Sequence, residues 1–261
     1  RALVEAVQPD AIVHLAAQSS VAESEHTPGR TFEVNVLGTR NVLAAAAALR
    51  PGGTVLLAST GQVYGNHQRP LGFRESDPLR PQSHYAWTKA CADEMGARCG
   101  EQSALRVLRA RPFNHSGTGR SPWAVESSLA RQLVEIERGT RAPTLALGNP
   151  ESSRDFLDVA DVIDAYWRLL DAGTEPGAYN IASGEAWSVG GLAETLTELS
   201  RVGVPVTRQV DPALWRPTDY ALGTAQKLRE RTGWRPRVPF RETLAALLED
   251  WRVRLGAAGP G

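Results

Sequence analysis

The stretch Thr54-Val55-Leu56-Leu57-Ala58-Ser59-Thr60-Gly61-Gln62-Val63-Tyr64-Gly65 passes from a short apolar run into small and hydroxyl-bearing residues. An apolar run of that length, without polar alternation, predicts a strand buried on both faces of a parallel sheet. Two more strands are predicted around it, Ala11-Ile12-Val13-His14-Leu15-Ala16-Ala17 upstream and Leu105-Arg106-Val107-Leu108-Arg109-Ala110 downstream. Helical segments lie between them: the Ala-rich Arg30 to Leu49, stopped by Pro51-Gly52-Gly53, and Ser83 to Glu101. Arg1 to Gln8 reads as the end of another helix, broken by Pro9-Asp10. Strand, helix, strand, helix, strand is the grammar of a parallel α/β sheet.

After Pro112 the rhythm changes. Helices are predicted near Ser127–Arg138, Val159–Leu170, Val189–Ser200 and Arg241–Leu255, with strands near Thr144–Leu147, Ala178–Ile181 and Val204–Val210. Residues 1–112 therefore read as one lobe. Residues 113–255 read as a second, smaller lobe interleaved with it, and 256–261 as a disordered tail.

Composition narrows the function classes. The 261 residues carry 29 basic and 29 acidic side chains, so the basic excess of a nucleic-acid binder is missing. No run approaches the roughly 20 apolar residues that span a bilayer, and residues 1–5 hold no signal-peptide core, which predicts a cytoplasmic protein without membrane contact. Two cysteines, Cys91 and Cys99, are too few for a disulfide scaffold or a cysteine metal site, and no metal is expected. The sequence does not begin with Met, and its only Met is Met95, so it reads as a fragment. Lysine is nearly absent: Lys89 and Lys227 stand against 27 arginines, so a lysine marks a place where a compact ammonium is wanted.

Tyr85-Ala86-Trp87-Thr88-Lys89 puts a phenol and an ammonium on one helix face. A cation beside a phenol favours the phenolate and lowers a pKa of about 10, which suits proton exchange with a hydroxyl or carbonyl. The plain alternative is a surface helix carrying an ordinary Tyr and Lys. Ser59 and Thr60 offer hydroxyls where the central strand ends, although they could simply form a turn. Ligands of open parallel sheets bind beyond those ends. The upstream strand ends in Ala16-Ala17-Gln18-Ser19-Ser20, small enough for a flat cofactor to approach the backbone, and the downstream one in Arg111-Pro112-Phe113-Asn114-His115.

These motifs, His14-Leu15-Ala16-Ala17, Asn35-Val36-Leu37-Gly38-Thr39, Ser59 to Gly65, Tyr85-x-x-x-Lys89 and Arg111-Pro112-Phe113-Asn114, resemble in order and spacing the extended short-chain dehydrogenase/reductase family of nucleotide-sugar epimerases and dehydratases. The resemblance implies a Rossmann-like parallel sheet with a smaller α/β substrate lobe, and NAD or NADP as cofactor. It makes Thr60 the catalytic hydroxyl, Tyr85 the proton-transfer residue, and Lys89 the residue that holds the nicotinamide ribose and lowers the Tyr85 pKa. Leu15, Ala16, Ala17, Gln18, Asn35, Ser59 and Arg111 would accompany Tyr85 and Lys89 around the cofactor. The helices 30–49 and 83–101 resemble the pair that joins relatives into homodimers.

The second lobe resembles more narrowly the GDP-4-keto-6-deoxy-mannose reductases and their relatives, the GDP-mannose 4,6-dehydratases. The stretches that carry this likeness are Arg111 to Pro122, Gly148-Asn149, Arg154-Asp155-Phe156-x-Asp158-Val159 and Arg216-Pro217-Thr218-Asp219. Gln62, Asn114, Arg120, Arg154 and Arg216 are thereby implied as contacts of a nucleotide-sugar, a GDP-sugar by preference. Arginine forks suit a diphosphate. Arg154 has the alternative of an ion pair with Asp155 or Asp158, and Arg216 that of a plain loop charge. His14 reads as a structural hydrogen-bonding residue, His84 as a site-edge residue, and His115 as either a substrate contact or a cap. Trp123, Trp167, Trp187, Trp215, Trp234 and Trp251 read as core.

Reductase and dehydratase differ in the acid/base groups they need. In the dehydratases a Glu two residues before the Tyr of the strand-end motif moves the proton, and here that position is Gln62, whose amide is no general base. Close relatives of the reductases often carry Glu there too, so Gln62 weakens the dehydratase more than it supports the reductase. Reduction of a C4 ketone of a GDP-4-keto-6-deoxy-hexose, with Tyr85 giving the proton and Thr60 orienting the carbonyl, is therefore expected ahead of 4,6-dehydration or epimerisation. A non-catalytic nucleotide-sugar-binding protein is the alternative of another class, because no Gly-x-x-Gly-x-x-Gly turn for a pyrophosphate occurs in the 261 residues. By the resemblance about three strands would precede Arg1, so this stretch alone is expected to bind NAD(P) poorly, with Ala11–Ala17 as an exposed sheet edge.

Overall fold

The computed structural model describes residues 1–49, 51–66, 71–171, 173–217 and 219–257. Its strands are β1 (Ala11–His14), β2 (Thr54–Ala58), β3 (Arg106–Pro112), β4 (Asn114–Ser116), β5 (Thr144–Leu147), β6 (Ser153–Asp158), β7 (Gly177–Ile181), β8 (Ala186–Ser188), β9 (Thr207–Val210) and β10 (Tyr220–Ala221). The helices are α1 (Ala2–Val7), α2 (Val21–His26), α3 (Pro28–Phe32), α4 (Gly38–Leu49), α5 (His84–Gln102), α6 (Val125–Glu137), α7 (Val159–Leu170), α8 (Val189–Leu199), α9 (Gln226–Thr232) and α10 (Phe240–Ala257).

The main sheet is parallel, in the order β1-β2-β3-β7. Registers run Ala11 to Thr54, Thr54 to Arg106 and Leu108 to Gly177, so all four carboxyl ends lie along one side. Successive side chains of β2 point to opposite faces. Val55 and Leu57 pack with Leu43 and Ala46 of α4 and with Val107. Leu56 packs the other way, with Val162, Ala165 and Leu169 of α7, and Leu228 of α9 extends that face. Burial on both faces is what the apolar run of β2 predicts. At Gly96 a Cβ would meet Leu57 at 2.4 Å, so the glycine lets α5 lie close against the sheet.

The smaller lobe is built on α6, α8 and α10 around Leu129, Leu133, Leu145, Leu192, Leu196, Leu244, Leu248 and Trp251. Its strands pair as β10-β6-β4, with β8 on β6, and β5 with β9. β7 and α7 follow Pro112 in sequence yet belong to the main sheet, so the chain crosses between lobes more than once.

Several boundaries differ from the sequence reading. β1 ends at His14, and Leu15 to Ser20 form no strand. The helix expected over 30–49 begins at Pro28 and contains a π turn, Glu33–Leu37, between α3 and α4. β9 is shorter than Val204–Val210. The tail expected over 256–261 begins inside α10, and 258–261 lie outside the described residues, as does Thr218. Trp234 and Trp251 are core, but Trp123 is 92% exposed, and Trp167 and Trp215 also face solvent.

Candidate active site

The turn after β2 and the first turns of α5 meet at the carboxyl end of the sheet. Thr60 is extended, and its hydroxyl accepts from the amide of Gln62 at 3.3 Å, which caps the 3-10 turn Gly61–Tyr64. Gly65 closes that turn with φ +82°, where a Cβ would meet the Arg80 carbonyl oxygen at 2.2 Å. α5 is started by Ser83, whose hydroxyl accepts from Ala86 N. The Tyr85 amide donates to Ser24 Oγ at 3.1 Å, so α2 fixes the entry of α5.

Thr60, Tyr85 and Lys89 are 8%, 9% and 7% exposed. The Thr60 hydroxyl lies near enough to the Tyr85 phenol to favour its ionised form. Burial pushes the Tyr85 phenol up; the Thr60 hydroxyl and the Arg120 charge pull it back only in part. Desolvation dominates and the phenol is held protonated; the lowering expected from Lys89 is not among the influences on it. The Lys89 ammonium donates to the Ala58 carbonyl, and burial pushes its pKa down to about 8, against the pull of Asp93.

The loop after β1 is held by the π turn. Asn35 Oδ1 accepts from Gln18 N at 2.8 Å, and its Nδ2 donates to Gln18 O and Thr88 Oγ1, both at 3.0 Å. Asn35 is buried and both its N–H donors are used, so it positions the loop; the sequence reading had placed it in contact with the cofactor. His14 is hydrogen-bonded to Thr39 Oγ1. Arg111 also departs from expectation: its guanidinium bonds Asp93, Tyr64 Oη and the Glu75 carbonyl, which leaves it a buried strut behind the turn. His84 faces Glu25 on the surface, and His115 is hydrogen-bonded to the Phe113 carbonyl.

The remaining residues fit a nicotinamide nucleotide. Lys89 has three N–H donors, of which Ala58 takes one, and the others suit ribose hydroxyls. Gln18 Oε1 is buried without a hydrogen-bond partner among the described residues. Ala16 and Ala17 leave the backbone beyond β1 open to a flat ring.

A cavity of about 400 Å³ lies between the start of α5 and the second lobe, lined by Gln62, Ser83, Ala86, Asn114, Arg154, Arg216 and Asp219 among others; Tyr85, Thr60 and Lys89 do not line it. Arg154 and Arg216 also line a second cavity, of about 190 Å³, between Trp123, Leu147 and Asn149. Arg154 pairs with Asp219, with neither of the aspartates expected, through Nε at 3.1 Å and Nη2 at 2.5 Å to Oδ2. Asp219 Oδ1 is buried with no partner among the described residues. Arg216 donates to the Ala213 and Trp215 carbonyls and stays exposed. Arg120 does not line either cavity; it bonds buried Glu126 at 2.9 Å.

Residues 1–247 match the family model described as GDP-mannose 4,6 dehydratase. The chain belongs to that family. GDP-6-deoxy-D-mannose reductase of Pseudomonas aeruginosa is 38% identical over 250 residues, 95% of this chain and 82% of that protein. GDP-mannose 4,6-dehydratase of Vibrio cholerae is 28% identical, over 96% of this chain and 75% of that protein. The structure of RMD from Pseudomonas aeruginosa complexed with NADPH superposes with a TM-score of 0.87 at 37% identity, covering 94% of this chain and 82% of that one. That of Thermus thermophilus UDP-glucose 4-epimerase in complex with NAD gives 0.83 at 29%, covering 96% and 80%.

Two of the buried acids of this GDP-mannose 4,6 dehydratase family member bear on the site: Asp93, which the sequence reading did not single out, and Asp155, which it named only as an alternative partner of Arg154. Asp93 lies one turn beyond Lys89 on α5, a spacing that was available as a signal. Asp155 is fully buried and accepts from Ser183 N and Oγ, both at 2.8 Å, Gly184 N at 3.0 Å and Gly223 N at 3.3 Å. It joins β6 to the segments after β7 and β10, and burial pushes its pKa up to about 6 despite those bonds. Its backbone carbonyl accepts from Asn114 Nδ2, so the same residue helps set a cavity wall.

Proposed function

We propose that this protein reduces the C4 ketone of a GDP-4-keto-6-deoxy-hexose with NADPH or NADH. The observation that carries the reading is the amide of Gln62 on the cavity wall. Dehydration needs a titratable group there to move a proton, and a primary amide has none. The cavity's one carboxylate among the described residues, Asp219, is tied to Arg154.

When bound, the nicotinamide supplies the hydride. Tyr85 gives the proton to the C4 oxygen, and the burial that raises its pKa keeps that proton in place until it is needed. Thr60, beside Tyr85, orients the carbonyl oxygen. Lys89 holds the ribose and opposes the negative charge that grows on the phenol. Arg154 and Arg216, common to both cavities, are assigned to the diphosphate, with Asn114 and Gln62 toward the sugar. Ala16, Ala17 and Ser59 are assigned to the cofactor side. The homodimer through α4 and α5 belongs to the same proposal, supported by exposed Trp87, which stacks on Phe32 at 6.0 Å.

The test supplies the protein, expressed from its complete coding sequence, with NADPH and GDP-4-keto-6-deoxy-mannose. Consumption of NADPH with formation of a C4 alcohol is expected. Conversion of GDP-mannose to the keto sugar, without NADPH consumption on the ketone, overturns the reading in favour of a dehydratase.

A further inference from the structure

Tyr85, Lys89 and Asp93 occupy successive i, i+4 positions of α5 and form a row down one buried face. Proton transfer uses the first two and leaves Asp93 unexplained. A carboxylate that is 1% exposed is costly unless it is paired. Asp93 accepts from Arg109 Nη1 at 2.8 Å, Arg111 Nε at 2.9 Å and Arg111 Nη2 at 2.8 Å. Arg111 Nη1 donates to Tyr64 Oη at 2.8 Å, and Tyr64 Oη donates to Asn180 Oδ1 at 2.6 Å. Tyr64 ends the turn that Thr60 caps. The carboxylate therefore sits in a rigid frame that also carries the Thr60 turn.

We propose that Asp93 is a positioning residue for proton transfer: fixed by Arg109 and Arg111, it supplies the negative charge that keeps the buried Lys89 ammonium protonated one turn below Tyr85. The inference rests on the reductase reading for the role of Lys89. Burial acts on Lys89 in the opposite sense, and Asp93 is the charge that opposes it. The other ionisable groups around this row are Tyr85 on α5, His14 on β1, Arg109 and Arg111 on β3, and Glu75 and Tyr64 beyond Arg111. The π turn and α4 contribute the neutral Asn35 and Thr39. Burial pushes the Asp93 carboxyl up, but the Arg111 hydrogen bonds and the Arg111 and Arg109 charges overcome it and hold the group below the usual range. Removal of that charge leaves Arg109 and Arg111 without the carboxylate they share and Lys89 without the charge that opposes its burial.

The composition provides a direct test. Lys89 and Lys227 are the only lysines of the 261 residues, so in the protein expressed from its complete coding sequence and labelled with 13C at lysine Cε few resonances appear, and the Lys89 resonance is the one lost in Lys89→Arg. In Asp93→Asn the Lys89 midpoint is expected to fall by roughly one to two pH units. In Arg109→Gln, which frees the carboxylate from one cation, it is expected to rise. The alkaline limb of kcat for NADPH-dependent reduction should move with the midpoint, while KM for the sugar nucleotide stays constant. An unchanged Lys89 midpoint in both variants overturns the inference. If Asp93→Asn does not fold, Arg109→Gln decides alone: a rise supports the inference and a constant or lower midpoint overturns it. Midpoints that move as expected in a protein without reductase activity support the charge assignment and overturn the reductase reading instead.

Discussion

The two halves of the candidate site, the Tyr85 wall and the Arg154 wall, are built on opposite principles. On the Tyr85 wall, Thr60, Tyr85 and Lys89 are each less than one-tenth exposed, and Thr60 and Lys89 are already bonded to backbone. On the Arg154 wall, the guanidinium of Arg154 is about a third exposed, Arg216 is exposed, and both border open cavities. Proton transfer gains from groups fixed and desolvated before the reaction. A diphosphate must arrive from water, so its arginines must remain reachable. Asp155 is the exception on the second wall, as buried as anything on the first, and it fastens the lobe that carries Arg154 to the end of β7.

The sharpest way to break this contrast is Tyr85→Phe. It removes the proton donor and keeps the ring, so kcat should fall by about 10²–10⁴ while sugar-nucleotide affinity changes little. Steady-state rates and a titration with GDP-mannose check both halves. Activity within tenfold of wild type would show that Tyr85 is not the donor.

The next effect is on stability. Asp155 titrates at about 6 in the fold against an ordinary value of 3.8. Its folded pKa is raised, so the unfolded chain releases the proton first, and stability falls as pH rises from about 4 to 6. The shift corresponds to about 3 kcal/mol. Asp155→Asn cannot ionise, so the wild-type advantage over the variant should shrink by about 3 kcal/mol between pH 4 and pH 7, as read by urea unfolding. A constant gap would mean that Asp155 is ionised throughout and that its hydrogen bonds outweigh burial.

The two walls also differ in how far the sequence foretold them. β2 was legible because burial on both faces leaves an unbroken apolar run, and the Thr60 turn and the Tyr85–Lys89 spacing are local patterns. The Arg154–Asp219 pair spans 65 positions, and Asp155 reaches Gly223 across 68, so neither partner could be read from its neighbours. Acids in helices and strands usually mark a solvated face, which hid the burial of Asp93 and Asp155. The π turn was invisible for another reason: one extra residue in a turn leaves composition and periodicity almost intact. Arg111 looked like a site residue because it adjoins Asn114, yet β3 turns its side chain toward Asp93.

On the open wall, Arg154→Ala should weaken GDP-mannose binding by roughly ten- to a hundredfold, the worth of a charge-assisted contact, with the KM for NADPH unchanged. The measurement also separates ligand contact from plain ion pairing, because Asp219→Asn breaks the pair while leaving Arg154 in place. If Arg154 serves the ligand, Asp219→Asn binds GDP-mannose far better than Arg154→Ala does. Equal losses in both variants would make the pair structural.

The smallest expected change is at Gln62. Gln62→Glu preserves size and places a carboxylate on the cavity wall where the amide stood. Reduction does not use that position, so kcat for the ketone should stay within about threefold, since surface-lining polar changes rarely cost more than a fraction of a kcal/mol. What the substitution adds is a titratable group, and with it the means to move a sugar proton in the dehydration direction. The variant differs from the wild type here by one atom pair, an O⁻ against an NH₂. A trace of GDP-mannose dehydration by Gln62→Glu, absent in wild type, would locate the division between the two reactions at this side chain. A wild-type protein that already dehydrates GDP-mannose would instead show that the amide is no barrier, and that the proton leaves by a route through the opposite wall.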